Sequence, residues 1–402
     1  GGGGGGGASA ESAELCGLPL PKPDSRSRTA ASSHFADLCA KRDEVSCARL
    51  PSAVVYTVEE DGESLSEVSH MEISRDGRYC AAATSRGTRL WDLAAGPHER
   101  SERHRSAASS TVHVALAQQE RGGEAEAEHA AARLAQPRVL GAWARTLSTS
   151  FSLNSELLLT GCPDGAVRLW SVSQARGLGV FSHVGGPVWS LDWCPIDPYF
   201  VAAGSDGQAL LWSLERHTPL RVFHPMGVRG SGGLLARPDV EAVRAHPSGK
   251  LVAVASEEAA VLWDMAAASP ARILRTGRPP AAMAFSPDGA LLAAGGADGS
   301  LQLWDLAAGK LRAEARSAHA AAVTAVDFSW PSAEAPANEP PLLFSGGADG
   351  VVQFWRPAPS ADGAFDALGR VEALHLAGGS EVAGGGFSLA NLLLVACVSK
   401  GC

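Results

Sequence analysis

Apolar residues in this chain come in short runs, and each run closes on a turn residue before the next begins. Residues 285–306, FSPDGALLAAGGADGSLQLWDL, show the unit: one apolar run ends at Ser-Pro-Asp-Gly, a second ends at Ala-Asp-Gly, and a third carries Leu-Trp-Asp. Runs this short, bounded by Gly and Pro, predict strands rather than helices. Asp-Gly between two of them predicts a hairpin, because Gly takes the positive φ while the Asp side chain bonds to nearby backbone.

The unit recurs. Aligned on tryptophan, its third run reads TRLWDL (88–93), AVRLWSV (166–172), ALLWSL (209–214), AVLWDM (260–265), LQLWDL (301–306) and VQFWRP (352–357). Trp91, Trp170, Trp212, Trp263, Trp304 and Trp355 thus hold one equivalent position. The second run appears as LLLTGCPDG, YFVAAGSDG, LLAAGGADG and LLFSGGADG, which puts Asp164, Asp206, Asp298 and Asp349 in hairpin turns; the turns at 84–88 and 256–260 lack the Asp. A first run (PVWSLDWCP, EAVRAHPSG, AAMAFSPDG, AVTAVDFSW) and a fourth (PLRVFHP, ARILRTG) bring the unit to four short strands. Spacings of 42, 51, 41 and 51 residues from Trp170 to Trp355 match the WD40 period of about 40–45 plus insertions.

A four-stranded antiparallel sheet with two apolar faces is satisfied by stacking radially against its own kind. The chain is therefore expected to be an all-β, seven-bladed WD40 β-propeller spanning 49–402, with six blades marked by the six tryptophans. The last blade is expected to be closed by N- and C-terminal strands: past the sixth tryptophan the chain continues through the runs RVEALHL (370–376), EVAGGGFS (381–388) and NLLLVACVS (391–399), and AVVYTV (53–58) pairs with C-terminal strands to complete a short blade of about three strands. Residues 1–48, with seven leading glycines, read as a disordered leader. Residues 94–137 read as a charged insertion loop after the first tryptophan, partly helical in its second half, and 331–341 as a Pro-rich loop within blade six.

Within blade six, His319, Ser345, Asp349 and Trp355 are the residues that form a buried hydrogen-bonded chain in WD40 units; other blades lack one or more of them. Such a chain fixes one geometry when every member is satisfied. Of the tryptophans outside the aligned column (Trp143, Trp189, Trp193, Trp330), Trp189 falls where an inner strand begins near the rim, and is the candidate interaction residue.

Composition narrows the function. A hydrophobic content of 45% fills a large core, while a net charge of -9 argues against clamping nucleic acid over the whole surface and favours protein partners. Eight cysteines include no Cys-x-x-Cys pair, which suits a reducing compartment. Residues 1–48 lack the basic start, apolar middle and small-residue cleavage site of a signal peptide, and no apolar run approaches 18 residues, so neither secretion nor membrane insertion is expected. No Walker loop, Gly-x-Ser-x-Gly elbow or paired-His spacing occurs, so no catalytic residue, cofactor or metal is expected.

Beyond the repeat, PVWSLDWCPIDPYFVAAGSDGQALLWSLERHTPLRVF (187–223) resembles the third blade of the WD40-bearing subunit-five family of TFIID, in particular through Leu211, Trp212, His217, Pro219, Leu220, Arg221 and Phe223. LPSAVVYTV before blade one and FSLANLLLVACVSKGC at the end are similar to that family's entry and closing strands. The resemblance implies a noncatalytic scaffold in RNA polymerase II initiation, docked on the histone-fold pair of subunits six and nine in TFIID, and in many lineages in SAGA. It implies a nuclear protein without sequence-specific DNA contact. The family's LisH and helical domain has no counterpart in these residues, so its self-association is not carried over. A substrate receptor of a ubiquitin ligase, or another generic WD40 scaffold, is the alternative; a propeller enzyme would need convergent acids or metal ligands.

Overall fold

The computed structural model describes residues 53–59, 68–92, 111–117, 138–141, 144–182, 186–195, 198–205, 207–216, 218–224, 240–330, 341–356, 369–375, 381–387 and 393–398. They form an all-β WD40 propeller. After β1 (Ala53–Glu59), blade one is built from β2 (Val68–Ile73), β3 (Tyr79–Thr84) and β4 (Gly87–Asp92), and, past the intervening β5 (Thr111–Ala117), from β6 (Arg138–Leu140). Blade two is β7 (Ser148–Phe151), β8 (Leu157–Gly161), β9 (Ala166–Ser171) and β10 (Arg176–Ser182); blade three is β11 (Val188–Trp193), β12 (Tyr199–Gly204), β13 (Ala209–Ser213) and β14 (Arg221–Phe223). Blade four is β15 (Val243–Ala245), β16 (Leu251–Ser256), β17 (Ala259–Asp264) and β18 (Ser269–Arg275). Blade five is β19 (Pro280–Phe285), β20 (Leu291–Gly296), β21 (Leu301–Asp305) and β22 (Lys310–Ala315). Blade six is β23 (Val323–Phe328), β24 (Leu343–Gly347), β25 (Val351–Arg356) and β26 (Gly369–His375). A further four-stranded sheet joins the chain ends in the order β1-β5-β28-β27, with β27 at Glu381–Phe387 and β28 at Leu393–Val398.

Two assignments differ from the sequence reading. Of RVEALHL, residues 370–375 lie in β26, which pairs with β25 of blade six. TVHVALA, inside the insertion read as a partly helical loop, is β5, and it lies between β1 and β28, so AVVYTV does not pair directly with the C-terminal strands. Its β-branched residues at Thr111, Val112 and Val114 alternate apolar and polar with period two, and that signal outweighs the Ala-rich helical composition after it. The leader 1–48, the rest of 94–137 and residues 331–340 lie outside the described residues.

Among the described residues the apolar interior is divided rather than gathered into one core. Apolar slabs lie between successive sheets: Leu90, Leu140, Leu158 and Trp170 between blades one and two, Phe181, Trp193, Phe200 and Trp212 between two and three, Phe223 and Trp263 between three and four. Met283, Leu292 and Trp304 continue the series between four and five, and Phe328, Leu343 and Trp355 between five and six. Each second strand is sealed on both faces, with β3, β12 and β20 buried along their whole length, which is why these runs carry no polar alternation. The innermost strands are neighbours in the cyclic order β2, β7, β11, β15, β19, β23, β27 and back to β2. Val382 of β27 joins the slab of Phe344 and Phe354, and its carbonyl accepts the Thr324 hydroxyl at 2.6 Å.

Candidate functional site

The four residues of blade six meet. Trp355 Nε1–H donates to Ser345 Oγ at 2.8 Å, Ser345 Oγ lies 2.8 Å from His319 Nε2, and His319 Nδ1 lies 3.1 Å from Asp349 Oδ1. One proton arrangement satisfies all three: indole to hydroxyl, hydroxyl to Nε2, Nδ1–H to carboxylate. Burial alone would raise the Asp349 carboxyl, but the N–H groups of Ala320 and Val351 together with His319 hold it below its ordinary range. His319 N–H also reaches back to the Gly299 carbonyl of blade five at 3.0 Å, so the chain ties two blades together.

In the hairpin turns, Asp164 accepts the Ala166 N–H at 3.0 Å and Asp298 the Ser300 N–H at 3.1 Å. Their carboxyls are held low, mainly by Arg168 beside Asp164 and by the Ser300 hydroxyl on Asp298. Asp206 lies outside the described residues.

The aligned tryptophans are all buried, yet their indole N–H groups fare differently. The register position of Ser345 is occupied by Thr160 in blade two, and Trp170 Nε1 donates to its hydroxyl at 3.0 Å. In blade five the position is Ala294, and Trp304 turns to Gln302 Oε1 at 3.3 Å. Blades one, three and four place Ala82, Ala202 and Val254 there, and Trp91, Trp212 and Trp263 have no acceptor for Nε1. An unmet buried N–H costs about 1–3 kcal/mol. Val254→Thr is nearly isosteric and restores an acceptor, so it is expected to stabilise the protein by about 1 kcal/mol, although Val→Thr in a core is ordinarily destabilising. Urea unfolding of Val254→Thr beside Thr160→Val, for which a loss of about 1–2 kcal/mol is expected, checks this; a destabilised Val254→Thr would contradict it.

A second polar system occupies the inner strands, on residues that the sequence reading does not single out. His70 and Glu72 on β2 project to the backbone of β7, where His70 Nδ1 accepts the Thr149 N–H at 3.4 Å and Glu72 Oε2 the Phe151 N–H at 3.3 Å. Ser190 and Asp192 on β11 repeat this on β15, accepting the Val243 N–H at 3.1 Å and the Ala245 N–H at 2.7 Å. Paired side chains two residues apart thus bridge neighbouring inner strands that have no direct ladder. The visible signal was period-two polarity, S-H-M-E and W-S-L-D, in strands otherwise apolar.

The charges of this interior are coupled. Burial, reinforced by Asp192, raises the Glu72 carboxyl to about 8 against the opposing pull of Arg244 and Arg75. Burial likewise raises Asp192, partly offset by Arg244 and the Ala245 N–H. Burial and the Arg244 charge lower His70 to about 3, consistent with its Nδ1 serving as acceptor. Arg244 belongs to blade four, and its Nη1 donates to the Val243 carbonyl at 2.9 Å and reaches Ser190 Oγ of blade three at 3.5 Å.

Trp189 is 41% exposed. It is the extra residue of a bulge between Val188 and Ser190, so it has no partner on β12 and is turned out of the slab at the end where inner strands begin. The residues shared with the subunit-five pattern lie elsewhere. Leu220, Arg221 and Phe223 are buried, Pro219 is half-buried and His217 is outside the described residues. Phe223 packs on Trp263 of the next blade with ring centroids 5.7 Å apart, so the pattern encodes blade-to-blade packing.

Residues 141–171, 177–213 and 276–305 match the model of the WD domain, G-beta repeat. The chain is 30% identical over 195 residues to Transcription initiation factor TFIID subunit 5 of Caenorhabditis elegans, an alignment covering 48% of this chain and 28% of that protein. It is 30% identical over 178 residues to Guanine nucleotide-binding protein subunit beta-like protein 1 of Mus musculus (44% of this chain, 50% of the relative). With Angio-associated migratory cell protein of Canis lupus familiaris it shares 26% over 166 residues (40% and 35%). The chain spans half or less of the length of each of these relatives.

Proposed function

We propose that this chain, a WD40-repeat propeller similar to TFIID subunit 5, is a noncatalytic scaffold of RNA polymerase II initiation that docks a histone-fold pair of the subunit six and nine type. The observation that carries the reading is the likeness to the TFIID subunit over 195 residues, set on a fold in which Glu72, Asp192 and His319 are committed to bonds between blades. In this reading residues 49–402 are a seven-bladed ring, the β1-β5-β28-β27 sheet being the closing blade. The adjacency of β27 to both β2 and β23 supports that closure. His319, Ser345, Asp349 and the six aligned tryptophans are structural, Trp189 anchors a partner, and the protein acts in the nucleus, within TFIID or SAGA, without sequence-specific DNA contact.

The test is co-elution of the purified chain with the heterodimer of subunits six and nine on size exclusion. A stable complex is expected; a well-folded chain that elutes alone would refute the reading. In the same experiment Trp189→Ala is expected to weaken binding about tenfold or more while leaving the melting temperature unchanged, as befits an exposed anchor.

A further inference from the structure

The outermost strand of a blade leaves one row of backbone N–H and C=O groups unpaired, and folded proteins blunt such edges by shortness, proline or charge. Here β6 and β14 are three residues long, β18 (SPARILR) carries Pro270, Arg272 and Arg275, and β22 (KLRAEA) carries Lys310, Arg312 and Glu314. β10 (RGLGVFS) differs from these four: it runs seven residues with no proline and no charge after Arg176. Its Leu178 and Val180 are 52% and 53% exposed, more than any other large hydrophobic side chain among the described residues. A Cβ at Gly179 would meet nothing within 4 Å, so the sheet face is uncrowded at this point of the strand. The bulge after Gly177 recurs in β18 and β22 and so is no special guard; from Gly179 to Ser182 the register with β9 is regular.

Charge is uneven along this edge. Arg176 is exposed at its first residue, and Arg138 of β6 reaches the same end, where Nη1 donates to the Ser173 carbonyl at 2.8 Å. Neither guanidinium meets a carboxylate among the described residues, whereas Arg168 on β9 is neutralised by Asp164 at 2.6 Å. The far end is Ser182. A second copy of β10 laid antiparallel would answer neither arginine, since its opposing end carries no acid.

We propose that β10 is a strand-addition site for an extended acidic segment of a partner protein. The segment pairs antiparallel along Gly179 to Ser182, places alternate apolar side chains beside Leu178 and Val180, and sets carboxylates at its C-terminal end against Arg138 and Arg176. Main-chain bonds supply affinity, and the apolar alternation and terminal acids supply register and direction.

The probe is a fluorescein-labelled seven-residue peptide alternating threonine and valine and ending in two aspartates, titrated by anisotropy at low salt. Saturable binding to the wild-type chain is expected. Val180→Lys, which adds the missing guard at an exposed position, should weaken it about tenfold or more without changing the melting temperature. Moving the aspartates to the peptide's N-terminus should weaken it about threefold or more. Absence of saturation by about 2 mM, a level at which even weak pairing would register, would overturn the proposal. So would equal binding by Val180→Lys, or a dimer of the chain in sedimentation that Val180→Lys abolishes.

Discussion

Gly384→Ala is expected to destabilise the protein by about 2–3 kcal/mol, the range of an overpacked contact that cannot relax. Gly384 lies on β27, facing β2, and a Cβ built on it would stand 2.7 Å from the Met71 carbonyl oxygen and 2.9 Å from the Met71 nitrogen. Both are backbone atoms of an inner strand, so no side-chain rotamer relieves the clash; β27 must withdraw. Withdrawal strips cover from Val382 and strains the bond from Thr324 to the Val382 carbonyl. Gly386→Ala is the control, because its Cβ would meet Asp327 Oδ2 at 3.1 Å and nothing else closer than 3.9 Å. It is expected to cost less than about 1 kcal/mol. Equal urea midpoints for the two variants would show that the approach of β27 to β2 does not carry stability.

Glu72→Gln should stabilise the protein at alkaline pH and leave it unchanged near pH 4.5. The folded-state pKa of Glu72, about 8, lies above its ordinary value of 4.5, so between those values the folded chain holds a proton that the unfolded chain releases. Stability therefore falls as pH rises through this window. His70 acts in the opposite sense: with a folded value of about 3 against 6.5, it is neutral when folded, and stability falls as pH drops from 6.5 to 3. From pH 4.5 to 6.5 the slopes of Glu72 and His70 oppose each other, and above that window only Glu72 of the two still titrates; the Asp192 carboxyl, raised as well, acts in the same sense as Glu72. Glutamine keeps an acceptor for the Phe151 N–H and has no proton to lose. A gain of about 2 kcal/mol at pH 8 is expected, less than the full shift implies because both side chains are only partly covered. Melting curves from pH 4 to 9 check it; parallel profiles for variant and wild type would refute the role given to Glu72.

How much of this was legible beforehand follows from where each signal resides. The six blades were written in local phrases, a second apolar run and a tryptophan joined in four of them by an Asp-Gly turn, and His319, Ser345, Asp349 and Trp355 could be paired by position within one such phrase. The fate of Trp91, Trp212 and Trp263 was also local, since the residue at the Ser345 register is alanine or valine in those blades. Contacts set by three-dimensional neighbours were not legible. β5 is separated from β28 by more than 270 residues, and only their pairing shows that TVHVALA belongs to the closing sheet. Likewise, polar alternation marks His70, Glu72, Ser190 and Asp192, but their partners are backbone groups of the next blade, 53 or 79 residues away, which no side-chain pattern announces. The subunit-five pattern around Phe223 identified a relative without revealing that Leu220, Arg221 and Phe223 are interior.

A rigid platform requires a ring held shut by its own chain ends, and hydrogen exchange of the β27 amides measures this directly. The amides of Val382 to Gly386 are expected to be protected as strongly as those at equivalent positions of β23 in blade six, exchanging over about hours. Exchange of β27 within seconds while blades one to six stay protected would contradict the account.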